Sequence, residues 1–391
     1  MNTPKIRFKG FTDDWEQRKL GEIGSVSMCR RIFKEQTSEN GEIPFYKIGT
    51  FGGEADAFIS RELFEEYKAK YQYPKKGDIL ISASGSIGRT VVFTGKNEYF
   101  QDSNIVWLNH DKHLDNSFLK CFYSIVKWAG IEGSTIKRLY NDNILNTAIT
   151  LPSVEEQQKI GAYFENLDNL ITLHQRKCDE TKQLKKFMLQ KMFPKNGEKN
   201  PEIRFEGFTD DWEQRKLGDV LKERTERAKG KEELLSVTIA NGVIRQADSE
   251  KRNIASEDKR NYKVVKKSDI PYNSMRMWQG AVGNSQYDGI VSPAYTILVP
   301  TDEANDKFFM ELFKKENSLQ RFKRWSQGLT SDTWNLKYPA LSTMQFFIPS
   351  IKEQKRIANC LQELDHLITL HQRKCEKLKE LKKFMLQNMF V

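Results

Sequence analysis

Downstream of Ser153 the apolar or small positions Ile160, Phe164, Leu167, Ile171, His174, Cys178 and Thr181 step by alternating fours and threes. That spacing puts one stripe on a helix and predicts a coiled-coil seam. Ser153, with Glu156 three residues on, predicts a capping box at its start. A second stripe runs through Ile357, Leu361, Leu364, Ile368, His371, Cys375 and Leu378. Each helix, if continuous for roughly 40 residues, is about 60 Å long. The stretch "PKNGEKNP" (194–201) ends the first one and serves as a short linker. Ahead of each stripe the pattern changes. Strand-like runs such as "DILISASGSIGRTVVF" (78–93) and "GIVSPAYTILVP" (289–300) accompany helical stretches "SFLKCFYSIVKWA" (117–129) and "DKFFMELFKKENSLQRFKRW" (306–325). The predicted fold class is therefore α+β (mixed α/β): two globular domains separated by two long antiparallel coiled-coil helices, related by a pseudo-two-fold internal repeat.

Repetition fixes the organisation. "FTDDWEQRKLG" stands at 11–21 and again at 208–218, displaced by 197 residues, and "LITLHQRKC" (170–178) and "LKKFMLQ" (184–190) return at the same displacement. From Asp168 to Phe193, 20 of 26 positions match their counterparts. The segments between, 24–150 and 221–347, are equal in length yet share almost no identity at that displacement. A repeated unit keeps its packing surface and varies its binding surface. The chain thus divides into a frame segment (1–23), a first variable domain (24–150), a central helix (151–193), a linker (194–201), a repeated frame segment (202–220), a second variable domain (221–347) and a C-terminal helix (348–391).

Composition narrows the class. The 391 residues allow two or three domains, each large enough to bury a core. No apolar run reaches the length of a membrane span, and the first residues contain no secretory leader pattern. Cys29, Cys121, Cys178, Cys360 and Cys375 form no CxxC pair, and this odd set fits a reducing, cytoplasmic setting. The net charge of +10 suits a polyanionic partner. Residues 221–347 carry 21 Lys+Arg against 16 Asp+Glu, and residues 24–150 carry 16 against 15. The two variable domains are therefore not electrostatic copies.

Catalytic chemistry is sparse. There is no Pro-Pro dipeptide to build an adenine-methyltransferase loop, no GxGxxG, no GxxxxGK[ST] and no HExxH. "DETK" (179–182) holds the E-x-K of a nuclease signature without an upstream Pro-Asp and reads as a solvated helix face. His174 with Cys178, repeated as His371 with Cys375, sits at i and i+4. Four such ligands make a zinc set. The plainer reading makes them seam residues whose mixed polarity pins the register, and no metal is expected.

In order and in duplicate, the motifs "RFKGFTDDWEQRKLGEI", "KKGDILISASGSIGRTVVF", "SDIPYNSMRMWQGAVG", "LPSVEEQQKI" and "IPSIKEQKRI" resemble the specificity (S) subunit of type I restriction-modification systems, over essentially the whole chain. That resemblance implies two target-recognition domains, each reading one half of an asymmetric bipartite site in double-stranded DNA. It also implies that the paired helices set the spacer and dock two methyltransferase (M) subunits, and through them restriction (R) subunits. No cofactor is implied on this chain: S-adenosylmethionine belongs to the methyltransferase, ATP and Mg to the restriction subunit. The chain is thereby expected to be non-catalytic by itself. The alternatives are a stand-alone DNA-modifying enzyme, which the missing loops count against, and a coiled-coil adaptor without specific DNA binding.

Candidate DNA-reading residues lie in loops and at helix ends of the variable domains. They are Ser84, Ser86 and Arg89 in "SASGSIGRT", where small residues let backbone approach phosphate, with Lys137, Arg138 and Tyr140. The second domain offers Asn273, Arg276, Trp278 and Gln279, then Lys323, Arg324 and Trp325. Arg matches guanine, and Asn or Gln matches adenine. Phe11, Trp15, Phe208 and Trp212 are candidates for packing the frame or covering a methyltransferase contact, and Leu167, Ile171, His174 and Cys178 with Leu364, Ile368, His371 and Cys375 for the helix seam.

Overall fold

The computed structural model describes residues 3–128, 138–195, 197–229, 232–239, 241–249, 258–330 and 333–391. The chain forms two compact units, Met1–Gln175 with Gln372–Val391, and Arg176–His371. Two helices of 38 residues, Val154–Lys191 and Ile351–Asn388, each give one half to each unit. Domains drawn by sequence repetition therefore cut the chain differently from units drawn by packing, because both long helices change unit midway.

Within each unit the two helix halves pair antiparallel. In the first, Asp168 accepts from Lys382 Nζ at 2.5 Å and Gln175 Oε1 accepts from Cys375 Sγ at 3.6 Å. In the second, Asp365 accepts from Lys185 Nζ at 2.6 Å and the Cys178 thiol points to the Ile368 carbonyl at 4.0 Å. The numbers climb on one helix as they fall on the other. The stripe read from the sequence is the seam: Ile160, Phe164, Leu167, Cys178, Ile357, Leu361, Leu364 and Cys375 are buried, and Ile171, His174, Thr181, Ile368, His371 and Leu378 partly so.

The predicted capping box is half realised. Ser153 Oγ accepts from Glu156 N at 3.3 Å and Ser350 Oγ from Glu353 N at 3.4 Å. The two carboxylates turn elsewhere: Glu156 takes both Nε and Nη2 of Arg7 at 2.8 Å, and Glu353 takes Arg204 at 2.8 and 2.7 Å. A buried carboxylate gains more from a two-pronged cation than from one amide. Next to them, the Gln157 side chain donates to the Pro152 and His113 carbonyls and accepts from Asp115 N. Gln354 does the same with Pro349, Glu303 and Asn305 N. Asp115 and Asn305 are the N-caps of the buried helices Asn116–Ile125 and Asp306–Lys314. Each glutamine therefore bolts the base of a long helix to its variable domain, with every polar group satisfied.

The variable domains share a three-strand antiparallel core beneath their unrelated residues. In the first unit an antiparallel sheet runs Gly24–Met28, Ile105–His110, Ile79–Ser82, Thr90–Val92. The second has Leu221–Glu223, Tyr295–Pro300, Ile270–Asn273 in the same order. The turn before Ile79 is closed by Lys75 N donating to Asp78 Oδ2, and that before Ile270 by Lys266 N donating to Asp269 Oδ2, both at 2.7 Å. Gly77 meets its left-handed requirement at φ +97, whereas its counterpart Ser268 carries φ +73 without that freedom. These equivalences fall 191 residues apart, and Asp115 and Asn305 fall 190 apart, so an alignment at 197 hides them. The frame strands keep the full displacement: Glu16 pairs with Leu151, and Glu213 with Ile348.

Candidate nucleic-acid interface

At the end of the sheet away from the helix bases, each unit brings a loop against a returning segment. Leu139 N donates to the Ala83 carbonyl, and Leu336 N to the Ser274 carbonyl, both at 2.8 Å. Both sets of candidates converge there.

In the first unit, Gly85 and Gly88 take φ +65 and +80 and fold the loop back on itself. Ser82 Oγ donates to the Ser86 carbonyl, and Arg89 N donates to Ser82 Oγ at 2.9 Å. Ser84 bridges Arg138 through backbone, and its hydroxyl donates to Asn104 Oδ1 at 2.7 Å. Arg138 Nη2 donates to the Ser103 carbonyl at 3.0 Å while its guanidinium lies 5.8 Å over the exposed Tyr140 ring. Arg89 places Nη1 on the Phe51 carbonyl at 2.9 Å. Ser84, Ser86, Arg89, Arg138 and Tyr140 thus form one constellation, with part of each arginine already committed to holding it. Lys137 lies outside the described residues.

The second unit builds the same end from aromatics. Asn273 Oδ1 accepts from Met275 N at 3.0 Å, and a 3-10 turn, Met277–Gln279, ends at the left-handed Gly280. Arg276, Trp278 and Gln279 stand partly exposed on it. Trp278 Nε1 donates to the Met275 carbonyl at 3.2 Å, and its ring meets Trp334 edge-on at 5.3 Å. Lys323 Nζ sits 5.8 Å from one ring and 5.4 Å from the other, joining the helix end Lys323, Arg324 and Trp325 to this loop. Such cation–aromatic surfaces suit stacking and phosphate contact together. Trp334, Asn104 and Ser103 were not singled out from the sequence.

A second basic surface also escaped sequence reading. Lys68, Lys70, Tyr71, Lys75 and Lys76 line an open cleft of about 800 Å³ at the opposite end of the Ile79–Ser82 strand. The adjacent lysines at 75 and 76 and the K-x-K at 68 and 70 were the signal available.

Of the two roles open to the frame tryptophans, the structure places them in the packing one. Trp15 and Trp212, each 2% exposed, are core residues and offer a partner no surface. Phe11 lies partly exposed beneath Lys159 Nζ at 4.7 Å, and Phe208 is partly exposed beside Arg204 and Glu353. No three His, Cys, Asp or Glu side chains gather as a metal set among the described residues. No helix among them is long and apolar enough to cross a membrane.

The family model for the type I restriction modification DNA specificity domain matches twice, at residues 12–183 and 209–380. A putative type I restriction enzyme specificity subunit of Haemophilus influenzae is 60% identical over 158 residues, which are 39% of this chain and 41% of that relative's length. The putative MjaX specificity subunit of Methanocaldococcus jannaschii is 23% identical over 98% of this chain and 94% of its own. The crystal structure of a type I restriction-modification S subunit from M. genitalium covers 100% of this chain and 99% of its own at TM-score 0.61, with 15% identity, and shares the fold. With both of its halves matched, the chain belongs to the type I restriction modification DNA specificity family and carries that domain twice.

Proposed function

We propose that this chain is the non-catalytic sequence-reading and assembly subunit of a cytoplasmic type I restriction-modification complex. Each unit reads one half of an asymmetric, gapped target in double-stranded DNA, and the paired helices set the spacer. The observation that carries this is a duplicated frame around unlike reading ends. The Arg7–Glu156 and Gln157–Asp115 contacts recur as Arg204–Glu353 and Gln354–Asn305, yet a serine–arginine loop in one unit is replaced by a tryptophan–arginine–lysine surface in the other. Different donors and ring faces select different bases.

Two partner faces follow from the same duplication. Leu184, Phe187 and Leu367 in one unit, and Leu381, Phe384 and Leu170 in the other, are large apolar side chains left exposed on the long helices, in pairs 197 residues apart. Identical faces recruit identical partners. These are the proposed docking sites for two methyltransferase subunits, which carry S-adenosylmethionine and bring the ATP- and Mg-dependent restriction subunits into the complex. Mapping methylated adenines in DNA from cells expressing the complex tests the reading: a bipartite asymmetric motif supports it, and no methylation dependent on this chain refutes it.

A further inference from the structure

The helix Glu316–Trp325 ends in Lys323, Arg324 and Trp325, and the chain then closes a loop on itself. Gln327 N donates to the Asn335 carbonyl at 3.1 Å and Asn335 N returns to the Gln327 carbonyl at 2.8 Å. Thr333 N and Trp334 N both donate to the Thr330 carbonyl, at 3.0 and 3.1 Å. Inside this closure Leu329 is 101% exposed, and Trp325, four residues earlier in the chain, is 45% exposed. A single exposed leucine on a folded surface ordinarily needs no explanation. This one is different in two respects. Backbone bonds at Gln327 and at Thr330 hold the chain on either side of Leu329. Lys323 also ties the loop to Trp278 and Trp334, the surface already assigned to reading.

Two bulky apolar tips that follow a pair of cations along the chain match a ligand that presents anionic groups beside apolar layers. A protein interface fits the lysine less well, since Lys is depleted from interface cores in which Trp and Arg are enriched. Duplex DNA fits both features: phosphates meet Lys323 and Arg324, and an inserted Leu or Trp partly unstacks a base step and kinks the helix. We propose that Trp325 and Leu329 form an apolar wedge that enters a base step in or beside the half-site read by this unit. Resting on the DNA reading proposed above, it adds a second source of selectivity. Steps that unstack readily, such as TA and CA/TG, are favoured there without any hydrogen bond to a base edge.

The test uses the whole complex and the target found by methylation mapping, with 2-aminopurine placed in turn at each purine of this half-site except the methylated adenine and its neighbours, which the methyltransferase unstacks on its own. Wild type brightens the probe at one step and brings dyes at the duplex ends closer. Leu329→Ala and Leu329→Lys, both at a solvent-exposed position that folding does not need, abolish the brightening and weaken target binding about tenfold, which is 1.4 kcal/mol. Lys323→Ala with Arg324→Ala weakens binding to any duplex and leaves the brightening of the bound fraction. Uniform emission at every step, with binding and methylation intact, overturns the wedge while leaving the reader standing. Loss of methyltransferase from Leu329→Ala with unchanged emission overturns it in favour of a protein contact. A wild-type complex that does not prefer its mapped target removes the reading itself, and the wedge with it.

Discussion

Trp15 meets Phe118 edge-on with ring centroids 6.0 Å apart, joining a residue of the repeated frame to a residue of the variable domain. Phe390 stacks on Phe118 at 5.1 Å and meets Trp15 edge-on at 6.4 Å. The trio returns as Trp212, Phe308 and Phe193, at 5.9 Å for the tryptophan and 5.4 Å for the stack. The sequence "TDDWEQ" therefore recurs because each unit needs the same plug between frame and domain. Trp15→Ala or Trp212→Ala should destabilise its own unit by roughly 3–5 kcal/mol, the cost of a large cavity. Urea titration should show one unit losing stability, and partner binding should fall only with the folded fraction.

The exposed helix faces give the opposite expectation. Phe187 and Phe384, 46% and 53% exposed, contribute little to the fold. Phe187→Asp should leave the melting temperature within a degree or two and reduce the bound methyltransferase from two copies to one, and adding Phe384→Asp should remove both. Light scattering of the saturated complex reads these masses directly. Two copies retained by the double variant would place docking elsewhere.

Burial pushes the Lys315 ammonium down to about 8, as its Nζ donates to the Leu189 carbonyl at 3.0 Å above the Phe193 ring. Because the unfolded lysine titrates at its higher ordinary value, the unfolded state holds more protons between about pH 8 and that value. Stability should therefore rise with pH across this window. Lys315→Met should remove that rise and be neutral to stabilising at pH 7. Urea midpoints for both proteins from pH 7 to 10 check the sign; a wild-type curve parallel to the variant's contradicts it.

What the sequence made legible follows from how local each signal is. The seams were readable because burial imposes a stripe every three or four residues, and the two sheet-helix domains because their runs are short and bounded. Glu156 was read as a cap, since its partner Arg7 lies 149 positions away and leaves no local trace. Trp15 was ambiguous because an apolar aromatic suits a core and a docking face alike. Trp278 and Lys323 were chosen separately, and only folding places them together. The shared three-strand core stayed hidden because changes of loop length moved equivalent strands to a displacement of 191 while the frame kept 197.

The pairings also locate where a spacer is adjusted. Four extra residues after Thr181 or Leu378 would pull Lys185 from Asp365 or Lys382 from Asp168. Four after Gln175 together with four after His371 fall where the helices pass between units, and keep every pair inside each unit. That variant lengthens both helices by roughly 6 Å. It should favour a target whose spacer is one or two base pairs longer, at about 3.4 Å each. Plasmid libraries with randomised spacers, read by methylated-adenine mapping, check it; an unchanged spacer in an active variant would leave the helices as glue alone.

Domain exchange followed by methylated-adenine sequencing goes most directly to the central claim that two units on one frame read two different half-sites. Residues 24–147 are replaced by those of another family member, leaving the Glu16–Lys19 and Ala148–Leu151 frame strands in place. The account predicts that one half of the methylated motif changes while the other half and the spacer stay as they were, and that exchanging 221–344 changes the complementary half. A palindromic motif for the parent, or an exchange that alters both halves together, would contradict it.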